Sequence, residues 1–490
     1  MKLKLKKLNI DAGRSVAFLH TETAKEFNIH VGDRIEIFFD RKKIISVVDF
    51  AKGLVGKEEI ALSNEAFVYG HLKNGDMMEI NLPKNPTSSS LIARKMSGFP
   101  LQKSEIYVII RDILNNALTD AEIAYFVSAV AEKGMSLQET IYLTEAMYKT
   151  GHVLKWPSSY KVADKHSIGG IPGNRTTPIL VSICVASGII MPKTSSRAIT
   201  SASGTADTLE TITKVSFSVS ELKRIVKKIG ACLAWGGSLG LAPADDKLIR
   251  VEKLIHLDPE SQLIASILAK KLAVGSKYIL IDIPYGEGAK VSKREAEKLR
   301  KKFMLTGKHF NLHIKIILTD GSQPIGNGIG PVLEMQDIIK VLRREKDAPK
   351  DLENKSLILS GNILEMLGKA KKGFGFSKAK EILNSGLAFK KFNEIINQQG
   401  RKNYSLQPAK QSYSFKAKKN GKIKRIGNKE INSLARILGC PVDKGAGIYL
   451  FWHKNDVVKK GITLLTLYSE SKNKLKEAIS YFNLVKPILY

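Results

Sequence analysis

The sequence predicts a multi-domain α/β protein: a helical lobe and a mixed-sheet α/β lobe, preceded by a small β-barrel and followed by an α+β module. Three observations predict it. At 490 residues the chain exceeds what one hydrophobic core serves, so it divides into three or four domains. The apolar pattern changes along the chain, from period two, to capped helical runs, to short apolar runs ended by Gly or Asp. Two segments rich in Gly, hydroxyls and cations lie in the third region, where an α/β fold holds ligands beyond its strand ends.

Residues 1–84 read as a β-rich domain. Lys2-Leu3-Lys4-Leu5-Lys6 alternates charged and apolar residues and is a strand rather than a signal peptide. His30-Val31-Gly32-Asp33-Arg34-Ile35-Glu36-Ile37 recurs as Lys73-Asn74-Gly75-Asp76-Met77-Met78-Glu79-Ile80, a Gly-Asp turn feeding an alternating strand, which predicts a pseudo-symmetric barrel. Pro, Asn and Ser at 83–90 mark the linker.

Residues 85–157 form most of a helical lobe, and 243–275 are helical again. Thr119-Asp120-Ala121-Glu122 and Ser136-Leu137-Gln138-Glu139 are capping boxes, and Gly134 and Gly151 close the two helices. Residues 158–242 and 276–410 form the α/β lobe, with buried strands at Lys277-Tyr278-Ile279-Leu280-Ile281-Asp282-Ile283 and His313-Ile314-Lys315-Ile316-Ile317-Leu318-Thr319-Asp320. The charge-free stretch 176–192 is short for a membrane span and carries Pro178, Ser182 and Ser187, so it reads as a buried helix. In 411–490, the strands around a Lys459-Lys460-Gly461 turn resemble a lipoyl-type barrel without its carrier lysine.

A net charge of +31 attracts anions, and nucleic acid is the first partner class to weigh. The lysines are scattered, however, and no aromatic-studded RNA motif accompanies them, so a solvated surface is the preferred reading and no nucleic acid is expected. Cys184, Cys232 and Cys440 are odd in number and lack His partners at ligand spacing, which argues for buried thiols and against a metal site. A cytoplasmic location follows from these features.

The chemistry-bearing segments are Lys165-His166-Ser167-Ile168-Gly169-Gly170-Ile171-Pro172-Gly173-Asn174 and Ser195-Ser196-Arg197-Ala198-Ile199-Thr200-Ser201-Ala202-Ser203-Gly204-Thr205. Small residues let backbone N–H groups approach anionic oxygens, and two such segments suggest two anionic groups in one site. With Leu241-Ala242-Pro243-Ala244-Asp245-Asp246 and Gln323-Pro324-Ile325-Gly326-Asn327-Gly328-Ile329-Gly330, they resemble the nucleoside phosphorylase family that contains thymidine phosphorylase, and most closely its archaeal AMP phosphorylase branch. The likeness runs in order through nearly the whole chain.

The resemblance implies phosphorolysis of a nucleoside monophosphate, AMP and also CMP and UMP, to free base and ribose 1,5-bisphosphate, without metal or cofactor. Phosphate binding maps to Lys165, Ser167, Thr177, Ser195 and Thr205. The nucleotide pocket maps to Gly170, Ser196, Arg197, Ala198, Ile199, Thr200, Ser201 and Thr205, with Ser266 and Lys290 also on substrate. Asp258 maps to the proton donor, although Asp258-Pro259 by itself reads as a helix cap. Arg197 either forks onto phosphate oxygens or makes a structural ion pair. The resemblance further implies that 243–275 return to the helical lobe, a cleft between lobes, a homodimer, and larger multimers through the N-terminal domain, which serves as an assembly domain. A thymidine or uridine phosphorylase is the alternative enzyme, and a nucleic-acid-binding protein on the same scaffold the distant one. Gly240, where the branch carries Asn, and Arg250-Val251-Glu252-Lys253, without the usual Arg-Pro, depart from the pattern and bear on base preference.

Overall fold

The computed structural model describes the chain except residues 41, 83–85, 199–200 and 403–404 and the side chains of Lys42, Val68 and Tyr69. The linker expected at 83–90 and the boundary at 84 therefore fall partly outside the described residues. The chain forms two compact units, 1–151 with 242–266, and 152–241 with 267–490.

In the first unit, strands β1 (Lys2–Lys7), β2 (Val16–Leu19), β3 (Arg34–Phe39), β4 (Lys42–Phe50), β5 (Glu59–Leu62) and β6 (Met77–Asn81) close into a barrel in the order β1-β5-β2-β4-β3-β6. Short helices α1 (Thr21–Glu26) and α2 (Asn64–Gly70) complete it. Alternation buries Leu3, Leu5, Ile35, Ile37, Met78 and Ile80 inside. The sequence repeat is a repeat of geometry: Asp33 Oδ2 accepts from His30 N and Asp76 Oδ2 from Lys73 N, both at 2.7 Å. Gly32 and Gly75 take φ of +92° and +94° in those turns, which glycine adopts without strain.

Helices α3 (Thr87–Met96), α4 (Lys103–Leu114), α5 (Asp120–Lys133), α6 (Leu137–Lys149) and α10 (Pro243–Ile255) make up the rest of this unit. Both capping boxes form: Glu122 N donates to Thr119 Oγ1 at 3.2 Å and Glu139 N to Ser136 Oγ at 3.1 Å. Gly134 ends α5 at φ +66°, whereas α6 ends on Thr150, one residue before the expected Gly151. Arg34 of the barrel pairs with Glu122 at 2.8 Å, and Arg250 with Asp120 at 2.6 Å. Helix α11 (Glu260–Val274) begins in this unit and ends in the second.

The second unit is built on parallel strands. β7 (Ala163–Ser167), β10 (Tyr278–Tyr285) and β11 (His313–Asp320) form a sheet ordered β11-β10-β7, and β8 (Met191–Ser195) pairs with β9 (Ala231–Trp235). A parallel bridge, Val162 to Ile190, links the two sets. Around them lie α7 (Thr176–Ala186), α8 (Thr205–Leu209), α9 (Val219–Ile229), α12 (Lys293–His309), α13 (Pro331–Arg343), α14 (Lys350–Met366), α15 (Gly375–Asn384) and α16 (Leu387–Gln398). Helix α7 is buried from Thr176 through Val185, as its lack of charge predicts. Among the described residues no helix is long and apolar enough to cross a membrane.

The C-terminal module departs from the lipoyl-type expectation. Its main sheet is open and antiparallel, ordered β12-β16-β18-β13, from β13 (Gln411–Lys416), β16 (Gly447–Leu450), β18 (Thr463–Ser469) and a strand of the α/β lobe, β12 (Gly328–Ile329). Pairing of Gly328 with Tyr449 and Ile329 with Ile448 gives the β16 edge to another part of the chain, so this sheet does not close on itself. Two-stranded ribbons join β14 (Gly421–Lys422) to β17 (Val457–Val458) and β15 (Arg425–Ile426) to β19 (Ile488–Leu489). Helices α17 (Asn428–Leu438) and α18 (Lys472–Val485) cover a core that includes Ala202 and Ile329. Cys184, Cys232 and Cys440 are free and buried, and burial pushes each thiol up.

Candidate active site

Period-two geometry sends Lys165 and Ser167 to one face of β7, and Asp164 and His166 to the other. Lys165 is 1% exposed, and its Nζ donates to Thr176 Oγ1 at 2.9 Å. Burial drives its pKa down to about 7; Asp282 acts against this and Lys355 and Arg175 reinforce it. Ser167 Oγ donates to Asp282 Oδ2, Thr319 Oγ1 donates to Asp282 Oδ1 at 2.6 Å, and Lys355 Nζ stands 3.1 Å from Asp282 Oδ2. Burial favours the neutral Asp282 acid, yet Lys355 and Lys165 hold its carboxyl below the usual range. The result is a buried cationic nest around one carboxylate at the carboxyl end of a parallel strand, which is where such folds take ligands.

On the opposite face Asp164 pairs with Lys271 at 2.7 Å and Lys193 at 3.3 Å. Burial, with those lysines, pushes His166 well below the usual imidazole range.

The loop after β7 is shaped by glycine. Gly173 takes φ +68°, and a Cβ there would overlap the Ile325 carbonyl. Ile325 N donates to Pro172 O at 3.1 Å, so the glycine-rich motif 323–330 buttresses this loop from behind. Asp337 Oδ2 holds that motif by accepting from Asn327 N and Gly328 N, both at 2.7 Å. Helix α7 then opens at Thr176 without a side-chain cap from Arg175, which places a helix N-terminus at the end of the loop. Thr176 carries the hydroxyl on Lys165; Thr177, named from the sequence, is buried beside it in the chain.

The second segment follows β8. Ser195 is half-buried at the strand end and Ser196 is exposed. Arg197 takes the ion-paired of its two readings: Nη1 and Nη2 both bond Glu210 at 2.8 Å, Nη1 also reaches Asp207 at 3.1 Å, and the guanidinium lies over the Trp235 ring. These carboxylates push its pKa up, Glu210 first. Buried Asp207 also accepts from Ala198 N at 2.7 Å and Gly204 N at 2.9 Å, folding the segment back on itself. Gly204 is required there, because a Cβ would overlap Ser196 O and Arg197 C. Ser201 Oγ donates to Ser203 O, and Thr205 starts α8. Ile199 and Thr200 lie outside the described residues.

Lys290 is exposed, and its Cβ lies 4.0 Å from where a Cβ on Gly170 would stand, so the structure brings these two together. Asp258 and Ser266 belong to the other unit. Asp258 is exposed and lies two residues before α11, whose first turn closes on the Pro259 carbonyl through Leu263 N at 2.9 Å. Ser266 Oγ donates to Asp245 Oδ2 at 3.0 Å. Sequence reasoning missed Thr176, Asp282 and Lys355. A lone Asp inside the apolar run 278–283 was a signal for Asp282; Lys355 has none in its local sequence.

Family models match three stretches: the helical bundle domain of a glycosyl transferase family over 89–151, the a/b domain of that family over 159–389, and a pyrimidine nucleoside phosphorylase C-terminal domain over 422–485. An AMP phosphorylase of Pyrococcus furiosus is 42% identical, over 100% of this chain and 97% of the relative. A provisionally named thymidine phosphorylase of Ralstonia nicotianae is 39% identical, over 98% and 95%. The crystal structure of anthranilate phosphoribosyltransferase from Thermus thermophilus shares the fold over 63% of this chain and 98% of its own, with a TM-score of 0.52 at 15% identity.

Proposed function

The chain belongs to the AMP phosphorylase family, and we propose from that premise that it catalyses AMP + phosphate ⇌ adenine + ribose 1,5-bisphosphate, with CMP and UMP as further substrates. Phosphate attacks the anomeric carbon, the glycosidic bond breaks with its electrons passing to the base, and Asp258 delivers a proton to that base. Lys165, Ser167, Thr177, Ser195 and Thr205 hold the attacking phosphate, and Thr176 joins them through its bond to Lys165. Gly170, Ser196, Ala198, Ile199, Thr200, Ser201, Thr205, Ser266 and Lys290 take the nucleotide. Arg197, engaged with Glu210, contributes by shaping this segment. The observation that carries the reading is the pairing of a buried lysine beside the first anion loop with a second, hydroxyl-rich segment that supports a second anionic group.

The test is release of free base by purified protein with phosphate and either AMP, adenosine or thymidine. AMP should exceed adenosine in kcat/KM by at least about 100-fold, since several charge-assisted bonds to the 5′-phosphate are lost together. Equal rates on AMP and adenosine would refute the nucleotide assignment, and preference for thymidine would establish the nucleoside alternative.

A further inference from the structure

One face of α17 reads the backbone of the site loops. Asn428, Asn432 and Arg436 are spaced four residues apart and so form one stripe on the helix. Asn428 Nδ2 donates to Gly321 O at 2.8 Å, in the loop after β11, and Gly288 of the loop carrying Lys290 packs on the same side chain. Asn432 Nδ2 donates to Gly170 O at 2.9 Å, in the first anion loop. Its Oδ1 accepts from Ala202 N at 2.9 Å, in the second. Arg436 Nη2 reaches Ser201 O at 3.4 Å.

Asn432 is therefore bonded to both anion loops at once. It is 6% exposed, and its two partners demand opposite chemistry, a donor for Gly170 O and an acceptor for the Ala202 N–H. Within so short a reach a carboxamide meets both demands, which fixes its orientation. Ala202 itself sits in the core of the C-terminal module.

We propose that Asn432 is a positioning residue, which sets the separation of the first anion loop and the nucleotide segment so that phosphate and nucleotide are held in reacting register. This rests on the functional reading above for its consequence in turnover, but not for the loop contacts. Losing the bridge should loosen both loops while leaving the sheet beneath them intact.

The test uses the full chain with Asn432→Ala, the near-isosteric Asn432→Asp, and Lys429→Ala on the exposed side of the same helix as control. In Asn432→Ala, hydrogen exchange at Ala202 and over 168–173 should quicken by about 10-fold while β7 and β10 stay protected. The KM for AMP and for phosphate should each rise about 10-fold, with a smaller loss in kcat. Asn432→Asp keeps an acceptor for Ala202 N–H but faces Gly170 O with another oxygen, so 168–173 should loosen more than Ala202. If Asn432→Ala fails to fold, Asn432→Asp decides the matter on the same measurements. Unchanged exchange overturns the proposal, and so does faster exchange with wild-type KM values. A wild-type protein inert on AMP would sink the functional reading alone, and exchange would still decide whether Asn432 holds the loops.

Discussion

The two terminal modules are both small and β-containing, yet they are joined to the chain in different ways. Among the described residues, the barrel core runs from Leu3 to Ile80, with Met1 packed against it. Its ties to the helices include the Arg34 to Glu122 ion pair and hydrogen bonds from Arg34 to the Ala117 carbonyl and from Arg250 to the Gly13 carbonyl. The C-terminal module instead shares its core with Ala202 and Ile329, borrows β12 to complete its sheet, and sends asparagines to the site loops. A module that closes its own sheet should be separable from the chemistry, whereas one that completes its core with another lobe's residues should not.

The largest effect expected from this contrast is on ending the chain at residue 410. That strips the cover from Ala202 and Ile329, leaves β12 unpaired, and frees the loops held by Asn428 and Asn432. Activity on AMP should fall by at least about 100-fold, with a broadened thermal transition in calorimetry. Near-normal turnover by the shortened chain would break the comparison.

The contrast extends to charge. The barrel wears its lysines in solvent, as in the Lys6 to Glu59 pair, whereas the second unit buries Lys165 with its pKa pushed down to about 7. An anion bound there favours the protonated lysine, so binding takes up a proton and weakens as pH rises through 7. Sulfate, whose charge is constant in this range, should lose competitive affinity against phosphate by about 20-fold between pH 7.5 and 9, and Lys165→Ala should abolish that slope. The sign for stability is opposite: the unfolded lysine holds its proton up to its ordinary pKa, so this group's contribution improves as pH rises above 7. A flat sulfate profile in the wild type would mean that Lys165 does not face the anion.

The smallest effect is reserved for the barrel. Deleting residues 1–84 takes Arg34 from Glu122 and the Gly13 carbonyl from Arg250, but Thr119 still caps α5 through Glu122 and Asp120 still pairs with Arg250. Turnover of AMP should stay within about 3-fold, and if the barrel joins copies of the chain, as the resemblance implies, light scattering should show a dimer for the shortened protein and a larger mass for the full chain. A shortened protein that loses turnover would erase the distinction between the modules.

Much of the fold was legible because local signals and tertiary packing agree. The strand at 313–320, the capping boxes at Thr119 and Ser136, and the paired Gly-Asp turns are set by alternation, side-chain caps and φ at glycine, all of which act within a few residues. The C-terminal sheet was not legible, since β12 is a two-residue strand more than a hundred residues upstream of its partner β16. The proposed phosphate residues Lys165 and Ser167 were singled out by their motif, but their partners were not. Which neighbouring threonine meets Lys165, and that Arg197 turns to Glu210, depend on rotation about α7 and on a carboxylate one helix away. Lys355 reaches Asp282 from α14, and no local pattern announces it.

The closed ring of the N-terminal barrel carries a consequence for how copies of this chain could be joined there. Among the described residues, the ring of six paired strands presents no open edge along which a neighbouring backbone could be stitched. Any contact made through it has to be written in side chains, where one reversed charge can dissolve the union while each subunit keeps its shape. An assembly made through this end of the molecule would be uncoupled from folding, and its subunit number would be a property of the surface, open to adjustment without cost to the interior.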